Sequence, residues 1–178
     1  MPDTLAQPPK SASRWLEVLK IFAVGRNPRR TFIRAAVLAV TCYLVFTFVL
    51  LPVRVTGISM EPTYHDHSVN FSNRLAYLFH EPRRGDVVTI RYAGIHDMLM
   101  KRIIGLPGET VSFVHGHVFI NGVALDEPYL RNPTHWNIAP ITLDATEYFV
   151  VGDNRSMRWQ DHMFGKTQRQ RIVGKVLL

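Results

Sequence analysis

Cysteine is almost missing from this chain: Cys42 is the only one in 178 residues. A single thiol excludes an intramolecular disulfide, a paired-cysteine redox centre and a cysteine-rich zinc site. Acidic residues are also scarce, 14 against 21 lysines and arginines, for a formal charge of +7. There is no glycine-rich phosphate loop, no internal repeat and no low-complexity array. Eight histidines remain as metal-ligand candidates. Only His65-x-His67 and His115-x-His117 are paired, and neither has a third ligand at a recognisable spacing. The sequence therefore predicts no metal site and no cofactor.

What is present is a long apolar run. It extends from Ala35 to Leu51, interrupted only by Thr41, Cys42 and Thr47, and stops at Pro52. With Phe32 and Ile33 it reaches about 20 residues, enough to cross a hydrocarbon core of about 30 Å. Lys10, Arg14, Lys20, Arg26, Arg29, Arg30 and Arg34 precede it, against Asp3 and Glu17. Basic residues gathered on one side of a hydrophobic segment mark the cytoplasmic side. The positive surplus thus points to a membrane surface rather than to nucleic acid. The run starts late, exceeds a usual signal-peptide core and lacks an Ala-x-Ala exit, so a retained anchor is expected.

Three parts are expected: a cytoplasmic basic tail (1–31), a transmembrane helix (32–51) and an exported β-rich domain (52–178). In the tail, Trp15, Leu16, Leu19, Phe22 and Ala23 recur against Arg14, Glu17 and Lys20. That pattern suits either an amphipathic helix on the inner leaflet or a weakly ordered tail. Beyond Pro52 the signals are those of strands, over 53–57, 86–92, 98–104, 118–120, 123–125, 148–151 and 172–178. Asn121-Gly122 fits a type I′ hairpin turn. Residues 73–79 read as a short helix and 132–140 as a loop. Met60, Tyr64, Trp159 and Phe164 suit either core or lipid contact, with core the commoner fate.

Ser59 follows the apolar run by eight residues, an extended reach of at most about 28 Å, so it stays near the outer membrane surface. A serine hydroxyl becomes a nucleophile at neutral pH only with a base beside it. Lysine serves if its pKa falls from about 10.4 towards 7, on the order of 4 kcal/mol of desolvation and charge repulsion. Lys101 lies among Met98, Leu99, Met100, Ile103 and Ile104. Strand alternation puts Leu99, Lys101 and Ile103 on one face. Taken alone, the spacing favours an exposed lysine on a strand edge, the usual fate of this residue.

Four segments narrow the choice: Ser59-Met60-x-Pro62-Thr63, Arg84-Gly85-Asp86-Val87-Val88, Lys101-Arg102-x-x-Gly105-x-Pro107-Gly108-Glu109 and Gly152-Asp153-Asn154-Arg155. In order and spacing they resemble the type I signal peptidases. These are membrane-anchored Ser-Lys proteases, among them the mitochondrial inner-membrane protease and conjugative-transfer peptidases. The resemblance implies a mostly β, antiparallel catalytic domain behind a single N-terminal transmembrane helix. It implies Ser59 as nucleophile, with its backbone N–H as oxyanion donor, and Lys101 as general base. Arg102, Asp153, Asn154 and Arg158 would support them. Position 57, a serine in some members, is Gly57 here.

The implied partners are preprotein signal peptides and the lipid bilayer, with no nucleic acid; the sequence leaves pairing with a second subunit open. Substrate would lie extended between residues 53–58 and 97–101, with small residues at the −1 and −3 positions. Ile58, Met60, Met98, Leu99 and Met100 are the expected substrate-binding residues. The expected location is the bacterial plasma membrane, with the mitochondrial inner membrane as the alternative.

The last segment departs from the family pattern. With Gly152 and Gly165 as anchors, Arg158 falls where the family has the serine that hydrogen-bonds the lysine. Gln160 falls at an aspartate and His162 at an arginine. Two expectations follow. One is an active peptidase whose lysine other groups orient, with Arg158 lowering its pKa further. The other is a catalytically reduced chain acting as a binding or partner subunit. Retention of Ser59, Lys101 and Arg102 favours activity. A Ser-His-Asp triad through His162 has no supporting spacing. A self-cleaving repressor would need a DNA-binding domain and a scissile bond upstream of the serine, whereas Ala93-Gly94 lies downstream.

Overall fold

The computed structural model describes residues 27–93, 97–130, 135–163 and 165–177. The chain divides into two compact units, 1–45 and 46–178. In the first, helix α1 (Pro28–Leu44) starts with proline in its first turn, where the missing N–H has no helical partner to lose. The helix runs on through a π-type turn, Val45–Val49. Pro28–Val49 thus makes 22 residues, with a mean hydropathy of 2.1 over their most apolar 18-residue stretch, long and apolar enough to cross a membrane. Residues 13–25, the amphipathic candidate, lie outside the described residues.

Among the described residues, the second unit contains eleven strands in two antiparallel sheets. In chain order the first four are β1 (Leu50–Arg54), β2 (Val69–Asn73), β3 (Val87–Ala93) and β4 (Asp97–Gly105). Next come β5 (Thr110–Val114), β6 (His117–Ile120), β7 (Val123–Ala124) and β8 (Ile138–Thr142). The last are β9 (Glu147–Val151), β10 (Gly165–Gln168) and β11 (Ile172–Leu177). The larger sheet runs β1-β2-β11-β3-β4-β9-β10, the smaller β7-β6-β5-β8.

β4 and β9 form the spine. Phe149 and Val151 pack with Ile104 and with Val111, Phe113 and Val118 of the smaller sheet. Tyr148 and Val150, on the opposite face of β9, pack with Val88, Ile90, Ile103 and Ile172. Burial on both faces is why residues 148–151 of β9 read as a continuous apolar run rather than an alternating one. Each such Val, Ile or Phe contributes roughly 1.5–3 kcal/mol. The β6–β7 hairpin closes through Asn121 and Gly122, both left-handed (φ 51° and 82°), as a type I′ turn needs.

Several expectations are corrected. Residues 73–79 are not a helix: Asn73 ends β2, and its Oδ1 accepts the Leu75 N–H at 2.9 Å, which starts a series of turns instead. Leu50 and Leu51, expected within the span, pair as strand with Asn73 and Ser72. β1 ends at Arg54 rather than continuing to 57. Residues 138–142 are strand, not loop, because Pro140 sits on β8 at the edge of its sheet, where a missing N–H is tolerated. Met60 and Tyr64 are core, while Trp159 is half exposed and Phe164 lies outside the described residues.

Candidate active site

Beyond β1 the chain leaves the sheet at Gly57, whose φ of 98° suits glycine. The Gly57 N–H donates to Asp66 Oδ1 at 2.8 Å, and that bond holds the Asp66 carboxyl below its usual range. Buried Met60 and Tyr64 then anchor the turn that presents Ser59. Thr63, on the same turn, donates its hydroxyl to Asp153 Oδ2 at 2.6 Å.

Lys101 arrives from the middle of β4, opposite Val88 of β3. It is 2% exposed, and its Nζ lies 2.7 Å from Ser59 Oγ. Burial pushes the ammonium pKa down to about 8, against the opposing attraction of Asp153. About a tenth of the amine is therefore neutral at pH 7, and half at about pH 8, in hydrogen-bond contact with a hydroxyl.

The segment after β9 locks these two together. Asp153 takes a two-pronged ion pair from Arg102, the residue beside Lys101, and Arg102 also donates to the Gly85 carbonyl at 2.8 Å. Asn154 grips the backbone at Ser59. Its N–H donates to the Ser59 carbonyl and its Nδ2 to the Ile58 carbonyl, both at 3.0 Å. Gly152 fits because it has no side chain: a β-carbon there would stand 2.1 Å from the Ser59 carbonyl oxygen. Beside Ser59 and Lys101 lies a cleft of about 90 Å³, lined by residues 53–56 and 59–60 on one side and 98–101 on the other.

A serine, a buried amine and an adjacent narrow cleft, built from the four segments singled out in the sequence, call for comparison with known proteins. The family model described as "Signal peptidase, peptidase S26" matches residues 29–178. The chain belongs to the signal peptidase family. It is 30% identical over 177 residues to a probable signal peptidase I-2 of Synechocystis sp., covering 96% of this chain and 74% of that one. To signal peptidase I S of Bacillus subtilis it is 36% identical over 134 residues, covering 68% of this chain and 72% of that one. A solved signal peptidase I structure from Enterococcus faecalis is similar at 27% identity and a TM-score of 0.45, covering 55% of this chain and 97% of that one.

Of the residues expected at this signal-peptidase-family site, Ser59, Lys101, Arg102, Asp153 and Asn154 come together. Met60, Met98, Leu99 and Met100 line the cleft. Ile58 does not: its side chain is half exposed, and its carbonyl is held by Asn154. Arg158 is not brought to Lys101. Its side chain is 78% exposed and pairs with Asp161 at 2.7 Å. The 3₁₀ turn Trp159–Asp161 is the reason, since it leaves Arg158 and Gln160 outside and carries His162 in, to 4% exposure. The paired histidines His65, His67, His115 and His117 are exposed.

Glu127 and Tyr129 went unnoticed in the sequence. The Tyr129 ring lies 3.9 Å beneath the Arg102 guanidinium. Its hydroxyl donates to Glu127, which in turn pairs with Arg155 at 2.7 Å. No spacing signal marks these partners, because they meet across a loop and a second sheet.

Proposed function

We propose that this chain is a membrane-anchored serine endopeptidase that removes signal peptides from exported preproteins through a Ser59–Lys101 dyad. The 2.7 Å contact between a hydroxyl and a buried, pKa-lowered amine carries the reading. Neutral Lys101 takes the Ser59 proton as Oγ attacks the carbonyl carbon of the −1 residue. The Ser59 N–H stabilises the oxyanion of the tetrahedral intermediate. The resulting lysine ammonium protonates the leaving amine of the mature chain, which departs and leaves an acyl-enzyme. Lys101 then deprotonates a water that attacks the ester; as the acyl C–Oγ bond breaks, the lysine ammonium returns that proton to Ser59 Oγ, and the signal peptide leaves with a new carboxylate.

The substrate lies extended between 53–58 and 97–101, so main-chain pairing supplies binding without reading sequence. The small volume of the cleft favours small side chains at −1 and −3. Arg158 and Gln160 are exposed and do not intrude on Ser59 or Lys101, which supports the active reading.

The chain sits in the bacterial plasma membrane with its N-terminus cytoplasmic and residues 52–178 on the outer face. The basic residues before the span support this orientation. Leu75, Leu78 and Phe79, exposed on the turns after β2, support contact with lipid. Arg74 in the same turn donates to the Thr47 and Val49 carbonyls, at the end of the apolar stretch.

The test is cleavage of a preprotein bearing an Ala-x-Ala site by the detergent-solubilised protein, with Ser59→Ala and Lys101→Ala alongside. Cleavage at that site, abolished by both substitutions, is expected. Undiminished cleavage by either variant would overturn the dyad.

A further inference from the structure

His162 stands one residue layer behind the nucleophile. The Trp136 ring meets it edge-on, with centroids 5.2 Å apart. On its other side is Gly152, so close that a β-carbon there would fall 2.4 Å from His162 Cε1. Its Nε2 lies 3.2 Å from the Asn154 carbonyl oxygen. A carbonyl oxygen only accepts, so Nε2 carries the hydrogen and donates. The charged groups around the ring are Lys101, Arg155 and Asp153. Burial and the nearby Lys101 charge hold the imidazole pKa down at about 4, so the ring is neutral at neutral pH.

Two peptide groups meet at Asn154, and each is held at one end. The Asn154 N–H is committed to the Ser59 carbonyl, and its carbonyl accepts from His162. Together these bonds restrict both backbone torsions of Asn154. The side-chain amide that holds the Ile58 carbonyl is aimed from that same α-carbon. Ile58 and Ser59 are the residues whose backbone orients the Ser59 hydroxyl and N–H.

We infer that His162 is a positioning residue for the nucleophile: by donating Nε2–H to the Asn154 carbonyl, it fixes the clamp through which Asn154 holds Ile58 and Ser59. The inference rests on the reading of Ser59 as nucleophile. It assigns a role to a residue that stands where the family pattern has an arginine. The role needs an N–H donor rather than a charge, and the neutral imidazole supplies one. A misplacement of the nucleophile by about 1 Å costs on the order of 10²-fold in rate, so loss of the donor should appear in kcat.

The full-length protein in detergent is assayed on a peptide with an Ala-x-Ala site, as His162→Phe, His162→Gln and Ser59→Ala. Phenylalanine keeps the ring without the donor, whereas glutamine offers an amide N–H in place of Nε2–H. His162→Phe is expected to lower kcat by about 10- to 100-fold with KM changed less than about twofold. His162→Gln is expected to recover to within about threefold of the unsubstituted enzyme. Full activity of His162→Phe, or His162→Gln no better than His162→Phe, would overturn the inference alone. Full activity of Ser59→Ala would overturn the nucleophile reading and the inference together. The unsubstituted protein gives a check that needs no variant to fold: ¹⁵N NMR at pH 7 should show His162 as the neutral Nε2–H tautomer. An Nδ1–H tautomer or an imidazolium would refute the inference.

Discussion

Arg102 and Asp153 meet in a two-pronged ion pair, Nε to Oδ1 at 2.8 Å and Nη2 to Oδ2 at 2.6 Å. Arg102 adjoins the proposed base on β4, and Asp153 adjoins the residue that clamps Ser59. One contact therefore ties both halves of the dyad. Asp153→Asn leaves a buried guanidinium facing a neutral amide. A loss of about 3–5 kcal/mol is expected in denaturant unfolding. Asp153 also raises the Lys101 pKa, so its removal should move the pH midpoint of cleavage below about 8.

In the unsubstituted enzyme, kcat/KM should rise with pH through about 8, as Lys101 loses its proton. The sign for stability follows from the same shift. The folded-state pKa lies below the unfolded value of 10.5, so the folded form is penalised at low pH and relieved as pH climbs from about 8 to 10.5. Lys101→Met removes the penalty. It should abolish cleavage and stabilise the domain at pH 7 by up to about 3 kcal/mol, seen as a raised Tm.

Arg158→Ala should change little. The side chain is 78% exposed and its ion pair with Asp161 is at the surface. Stability within about 0.5 kcal/mol, an unaltered kcat and an unaltered pH midpoint are expected from the same assays. A shifted midpoint would mean that Arg158 reaches Lys101 after all.

Gly152→Ala should be among the most damaging small changes. Its new methyl group would press on the Ser59 carbonyl and on the His162 ring at once. Backbone must shift to admit it, at about 1–3 kcal/mol or more. A loss of cleavage larger than the loss of stability is the expected signature, measured by kcat alongside denaturant unfolding.

Acid should find His162. Its folded-state pKa of about 4 lies below the ordinary 6.5, so the folded form loses ground as pH falls through that interval. His162→Gln should flatten the decline between pH 6.5 and 4, by up to about 3 kcal/mol in unfolding free energy at the acid end.

The β-rich domain and the apolar helix are legible in composition and period, because both depend on runs of side chains of one kind. The burial of Lys101 is not legible in spacing, which favours an exposed edge lysine; only the resemblance of the segment around it points inward. Errors arise where a single residue overrides a pattern. Asn73 diverts its neighbours into turns by accepting one N–H. Pro140 suggests a loop, yet an edge strand accommodates it. The exchange of Arg158 for His162 at the site comes from a three-residue 3₁₀ turn, which counting along the chain does not reveal. Glu127 and Tyr129 are invisible for another reason: their partners, Arg155 and Arg102, are more than 25 residues away in sequence.

β1 closes one end of the larger sheet among the described residues, with β2 as its paired neighbour. The strand also borders the cleft. An edge left unpaired beside the cleft, where we propose that substrate lies, is equally available to another copy of the enzyme. Pro52, in the middle of β1, lacks the N–H that a continuous ladder needs. The proline thus limits how far a second sheet could zip onto the first, and so guards against edge-to-edge aggregation while a short stretch of backbone beside Ser59 stays open to substrate.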